Sequence, residues 1–132
     1  MERLARRQTT ALALDVVSIV VFAAIGRRSH DESNGLGGVL STAAPFLLAL
    51  VAGWIVATLA ASRRPQLRDG GSPDAGVVIW VVTVGLGLVA RRVLWDRGTA
   101  LAFVVVATLV LGAFIVGRRF AVRSLATRQN RT

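Results

Sequence analysis

Four long apolar segments alternate with short arginine clusters along the 132-residue chain. They cover residues 9–26, 39–61, 75–94 and 99–117. A helix crosses the apolar core of a bilayer in about 20 residues, and each segment is close to that length. The third segment includes Arg91 and Arg92, whose long side chains can extend toward the headgroups. The pattern predicts an all-α membrane protein with four transmembrane helices in a compact bundle.

The segments between these helices support one membrane domain over residues 1–132. Residues 1–8 and 118–132 are basic and are predicted to be cytoplasmic tails. Between the second and third helices the chain contains two proline residues and a Gly-Gly pair. Ser72 is placed to cap the third helix, with Pro73 at its first position.

The distribution of arginine predicts how the helices cross the membrane. The first tail contains three arginines, the loop between the second and third helices three, and the last tail five. The connections at residues 27–38 and 91–98, counted with the arginines at the end of the third segment, contain two and three. Because loops rich in basic residues stay in the cytoplasm, both termini are expected there, in a bacterial inner membrane.

Composition excludes several classes of function. Apolar residues make up 54% of the chain and charged residues 17%, against about 25% charged in soluble domains. The net charge of +9 would suit nucleic acid, but the arginines lie at the ends of apolar segments, which indicates anionic lipid headgroups and no nucleic acid. With one histidine and no cysteine, we expect neither an enzyme nor a bound cofactor or metal.

The two halves of the chain resemble each other. Each half has an apolar segment, a double arginine, a loop with an acidic residue, a Thr-Ala-x-x-Phe motif, a second apolar segment and another double arginine. The motif begins at Thr42 in the first half and at Thr99 in the second. The halves are therefore either repeated helical hairpins or two unrelated hairpins, since arginine pairs are common at the ends of membrane helices.

Small side chains recur every fourth residue along the second helix. This ridge consists of Ala49, Gly53, Ala57 and Ala61, preceded by Pro45. Small residues let another helix approach closely, and such contacts drive association inside membranes. The partner is either another helix of the same chain or a second copy.

Asp15 is the strongest candidate for a functional residue. It lies about 12 Å beyond Arg7 along the helix, too deep for its short side chain to reach water easily. Ser18 lies on the same face, and Thr58, Thr83 and Thr108 are predicted at a similar depth. Asp15 either lines a hydrated path or is a hydrogen-bonded clasp between helices. For a clasp, Asp15→Asn should leave the fold nearly intact.

The opposite side of the membrane offers weaker candidates. Arg27, Arg28 and His30 follow the first helix, and Arg91 and Arg92 lie near the end of the third. His30 is next to two acidic residues, but adjacent side chains do not share a face, so a solvated loop is favoured over a metal site. Arg91 and Arg92 either bind an external anion or anchor to headgroups.

Several of these motifs resemble a family of small actinobacterial membrane proteins classed only as a domain of unknown function. The residues that carry the resemblance are Asp15, Gly26-Arg27-Arg28-Ser29-His30, Pro45-Phe46, Trp80 with Thr83, Arg91 or Arg92, and Thr99-Ala100-x-x-Phe103. The resemblance covers about residues 11–120. It implies a four-helix membrane unit and no activity, and it suggests that Asp15 and residues 26–30 are the positions to test.

Two classes of function remain open. The protein is either an oligomeric transporter or channel with Asp15 in its path, or an accessory or scaffold subunit of a larger membrane complex. Four packed helices leave no pore between them. Transport would therefore require oligomerisation or a moving hairpin, and the accessory function requires neither.

Overall fold

The computed structural model describes residues 1–28, 35–94 and 100–131. Its helices are α1 (Glu2–Arg28), α2 (Gly35–Ala60), α3 (Pro73–Val93), α4 (Leu101–Gly112) and α5 (Arg118–Gln129). A π-helical turn, Ala113–Gly117, joins α4 to α5 into one continuous helical stretch. The described part of the chain has no strand, so the all-α prediction is confirmed.

Within the described residues, four helical stretches are long and apolar enough to cross a membrane. They are Glu2–Gly26, Gly35–Ala60, Pro73–Val93 and Leu101–Gln129. The first and last extend beyond the apolar segments into the basic regions at residues 1–8 and 118–132. Each helix directs apolar side chains outward, and Val17, Ile55, Val81 and Leu109 are all more than half exposed.

The small-residue ridge of α2 is buried, and α2 and α3 make the most extensive contact in the bundle. A Cβ atom added to Gly53 would lie 3.0 Å from the carbonyl oxygen of Ile79 on α3. The absence of a side chain therefore brings the two backbones together, as expected for membrane helices. At Gly53 the partner of the ridge is a helix of the same chain.

Three phenylalanine rings join α1, α2 and α4, with Phe22 and Phe46 buried and Phe103 half-buried. The ring centroids of Phe22 and Phe46 are 5.7 Å apart in an edge-to-face arrangement, and Phe103 lies 6.0 and 6.2 Å from them. Phe46 and Phe103 occupy corresponding positions of the two Thr-Ala-x-x-Phe motifs. Such pairs contribute about 0.5–1.5 kcal/mol each beyond the area they bury.

The loop between α2 and α3 closes one end of the bundle. It contains a short 3-10 turn, Pro65–Leu67, whose Leu67 is buried. The Ser72 hydroxyl accepts a hydrogen bond from the Ala75 amide and Pro73 begins α3, which confirms the predicted cap. Gln8 near the start of α1 donates to the carbonyl oxygen of Arg68. The start of α1 and this loop therefore lie at the same end of the molecule.

Candidate functional site

Asp15 is fully buried at the centre of a polar cluster near this end of the bundle. Its Oδ1 accepts hydrogen bonds from Arg118 Nη2 at 2.9 Å and Arg119 Nη1 at 2.8 Å. Its Oδ2 accepts from Arg119 Nη2 at 2.8 Å and from the Trp54 indole nitrogen at 3.0 Å. A carboxylate has about four acceptor positions, so the protein itself occupies the full capacity of Asp15.

Arg119 is equally well satisfied and only 1% exposed. Besides its two bonds to Asp15, it donates to the carbonyl oxygen of Gly70 from Nε and Nη2, at 3.0 and 2.9 Å. Its Nη1 also donates to the carbonyl oxygen of Ile115 at 2.7 Å. All five N–H groups of the guanidinium therefore have an acceptor. One side chain connects α1, α5 and the loop that precedes α3.

Two consecutive arginines reach the same carboxylate from different sides. Consecutive side chains of an α-helix point about 100° apart, so one of the pair would normally face away. The π-helical turn Ala113–Gly117 directly precedes Arg118 and changes the rotational position of the residues that follow it. Arg118 extends to Asp15 from the edge of the bundle, with its side chain 23% exposed, while Arg119 points inward.

Two glycines make room for the cluster. A Cβ atom on Gly76 of α3 would lie 2.5 Å from Cδ of Arg119. A Cβ atom on Gly70 would overlap the Trp54 ring. Glycine at these positions lets α3 and the loop approach the buried arginine and tryptophan closely.

The hydroxyl groups predicted at the depth of Asp15 have other surroundings. Ser18, Thr58 and Thr108 each donate to the carbonyl oxygen four residues earlier in their own helix, and Thr58 is exposed on the outer surface. The Thr83 hydroxyl is buried beside Gly53 and has no hydrogen-bond partner in the described part of the chain. The described hydrogen bonds of Asp15 go to tryptophan and arginine rather than to these hydroxyls.

The candidates at the other end of the bundle are described only in part. His30 and the side chains of Arg27 and Arg28 lie outside the described residues. Arg91 is half-buried and places its guanidinium 4.2 Å from the centre of the Phe103 ring, while Arg92 is exposed. Among the described residues, no group of three histidine, cysteine or acidic side chains could hold a metal ion.

Sequence reasoning missed the partners of Asp15. The apolar segment stops at Gly117, so the hydrophobic pattern places Arg118 and Arg119 in the last tail. The available signal was the buried carboxylate itself, since charged groups inside membranes are usually paired. Trp54 gave a second signal, because an indole N–H within an apolar helix needs an acceptor.

The four apolar helices and their buried polar cluster define a multi-pass membrane protein of the helical-bundle class. Residues 12–122 match the model of a family described as "Protein of unknown function (DUF3054)". Because the match covers most of the chain, the protein belongs to this family, and the predicted resemblance to a four-helix membrane family of unknown function is confirmed. Neither the curated proteins nor the solved structures contain a match to the chain.

Proposed function

We propose that this protein is an accessory or scaffold subunit of a larger complex in the bacterial cytoplasmic membrane. The observation that carries the proposal is the complete occupation of Asp15 by Trp54, Arg118 and Arg119. A carboxylate that exchanges protons or cations needs a free acceptor position or contact with water. A carboxylate with four protein donors acts as a clasp that fixes the positions of the helices.

The contacts at this end of the bundle support cytoplasmic termini. Arg7 forms an ion pair with Asp69 at 3.1 Å, and Arg119 bonds Gly70. The start of α1, the loop between α2 and α3 and the start of α5 are therefore together. These three regions and the remainder of the last tail contain eleven of the sixteen arginines, and the basic end of a membrane protein faces the cytoplasm.

An oligomeric transporter or channel is the second candidate, and one feature favours it. Two guanidinium groups face a single carboxylate, so the cluster has a net positive charge at one end of the bundle. The same contacts join α1, α5 and the α2–α3 loop. In a transporter with a moving hairpin, this cluster would be the closed gate, and transport would require it to open.

Photo-crosslinking in cells separates the two candidates. A photoreactive phenylalanine analogue is placed singly at the outward-facing positions Val17, Ile55, Val81 and Leu109, one for each membrane-spanning stretch. Phe22 is the matched inward control, because it is aromatic and only 3% exposed.

For an accessory subunit, we expect a discrete adduct with a larger membrane protein from at least one outward position and none from Phe22. Adducts between copies of this chain alone would contradict the accessory role and support the oligomeric candidate. Adducts with lipid alone at all four outward positions would contradict both.

A further inference from the structure

A cleft of about 260 Å³ lies between α1 and α5, beside the buried cluster. Its basic lining consists of Arg6, Arg7, Arg118 and Arg119. Apolar side chains on the same two helices, Ala11, Leu14 and Val122, complete most of the remaining surface. Leu14 and Val122 are exposed on the outside of the bundle, so the cleft combines a cationic rim with an apolar side.

The cleft carries more positive charge than the protein neutralises. Of its four guanidinium groups, Arg118 and Arg119 share Asp15, and Arg7 pairs with Asp69. Four positive charges therefore face two carboxylates. In the described part of the chain, Arg6 has no ion-pair partner. The excess of two charges suits a ligand with one or two negative charges, which is the range of a phosphate group.

Arg118 provides an independent observation, because one of its hydrogen-bond donors is not used by the described part of the protein. Its Nε is buried and has no hydrogen-bond partner among the described residues, although its Nη2 bonds Asp15. A buried donor without an acceptor is unfavourable, because it has lost its hydrogen bonds to water. Arg118 lines the cleft and its side chain is 23% exposed, so its guanidinium can bind an anion there, and guanidinium groups bind phosphate oxygens through parallel N–H donors.

We propose that this cleft binds a phosphate group, with Arg6 and Arg118 as its principal ligands. Two sources have this chemistry: the headgroup of an anionic phospholipid and free phosphate from the cytoplasm. A lipid would place its phosphate against the arginines and the beginning of its acyl chains along Leu14 and Val122, as in basic pockets between membrane helices. The proposal is independent of the accessory role, because a phosphate site could serve either candidate function.

Native mass spectrometry of the protein in detergent tests the site. The protein is incubated with an equal mixture of phosphatidylglycerol and phosphatidylcholine, and the retained lipids are counted. We compare the wild type with Arg6→Gln/Arg118→Gln and with the control Arg3→Gln/Arg64→Gln. The control removes the same charge from two exposed arginines that do not line the cleft.

We expect the wild type and the control to retain one phosphatidylglycerol in preference to phosphatidylcholine. Replacement of both arginines in Arg6→Gln/Arg118→Gln should weaken the retention of phosphatidylglycerol by about tenfold or more, since a hydrogen bond to a charged group contributes about 1.5–3 kcal/mol. Addition of inorganic phosphate shows whether the bound phosphate group comes from a lipid or from solution. If the cleft binds a lipid headgroup, phosphatidylglycerol stays bound after inorganic phosphate is added. If the cleft binds free phosphate, the protein binds inorganic phosphate and retains the two lipids equally.

Either of these results supports a phosphate site. Arg6→Gln alone is measured as well, because its side chain lies outside the Asp15 cluster and its loss should leave the fold intact. Equal lipid and phosphate binding by the wild type, Arg6→Gln and both double variants would overturn the proposal.

Discussion

Asp15 carries a negative charge in the interior of α1, two turns of helix beyond Arg7, and two arginines compensate it. An isolated aspartate in this position would be unfavourable by roughly 2.5–3.5 kcal/mol. Pairing with Arg119 removes that cost only while both partners are present, since a buried charge without its partner is strongly destabilising. The cluster is therefore stable only when Asp15 and Arg119 are both present.

Asp15→Asn is expected to destabilise the protein by about 3–5 kcal/mol, because it leaves Arg118 and Arg119 without a countercharge. The sequence alone suggested that asparagine would be tolerated, but that expectation assumed neutral partners. Denaturant unfolding in detergent measures the change. Ser18→Ala on the same helix is the control, because the Ser18 hydroxyl bonds its own helix, and it should change stability little.

The double variant Asp15→Asn/Arg119→Gln should recover part of the loss, because it removes one of the uncompensated charges. Recovery would show as non-additive free energies in a double-mutant cycle. If Asp15→Asn unfolds at the same denaturant concentration as Ser18→Ala, the ion pair does not contribute to stability.

Helix α3 shows how glycine acts differently at two positions of one element. Gly76 faces Arg119, and an added Cβ atom would lie 2.5 Å from its Cδ. Gly85 is exposed, and an added Cβ atom would meet nothing within 4 Å. Alanine is about 1 kcal/mol more favourable than glycine inside a helix, so this pair separates helix propensity from close packing.

Gly85→Ala is expected to leave the protein equally stable or up to about 1 kcal/mol more stable. Gly76→Ala should destabilise it by about 1–3 kcal/mol, because Arg119 is held by Asp15, Gly70 and Ile115 and cannot move without losing hydrogen bonds. Thermal unfolding of the two variants in the same detergent provides the comparison. An increase in stability for both would show that Arg119 adjusts freely.

The whole molecule is organised by an unequal distribution of charge between its two ends. The end with the α2–α3 loop holds the buried cluster, the Arg7–Asp69 pair and the basic cleft. The other end has fewer arginines, and Arg91 packs against Phe103 there. Because the more basic end of a membrane protein tends to face the cytoplasm, this asymmetry favours the orientation in which the α2–α3 loop faces the cytoplasm.

Single cysteines test the orientation, and the chain has no native cysteine to interfere. Ser33→Cys and Gly98→Cys should react with a membrane-impermeant maleimide in intact cells, and Ser62→Cys and Asn130→Cys only after the membrane is opened. Ser62 and Asn130 are exposed, so burial would not prevent labelling. Labelling of Ser62→Cys from outside intact cells would contradict cytoplasmic termini.

The four helices and the cap at Ser72 could be predicted from the order of residues along the chain. These follow from local rules: the length of apolar segments set by bilayer thickness, and the chemistry of a helix start. The sequence also identified Asp15 as exceptional, because the cost of a charge in a membrane depends on depth along one helix. The four-residue spacing of the ridge on α2 was likewise visible along one helix.

The contacts of these residues follow from how the helices pack in three dimensions. Arg119 is 104 residues from Asp15, and the π-helical turn that directs it inward follows from no simple local pattern. Gly70 and Gly76 leave no room for a side chain only because Trp54 and Arg119 pack directly against them. The partners of a buried charge are set by the packing of whole helices, and neither periodicity nor composition specifies which side chains meet across that packing.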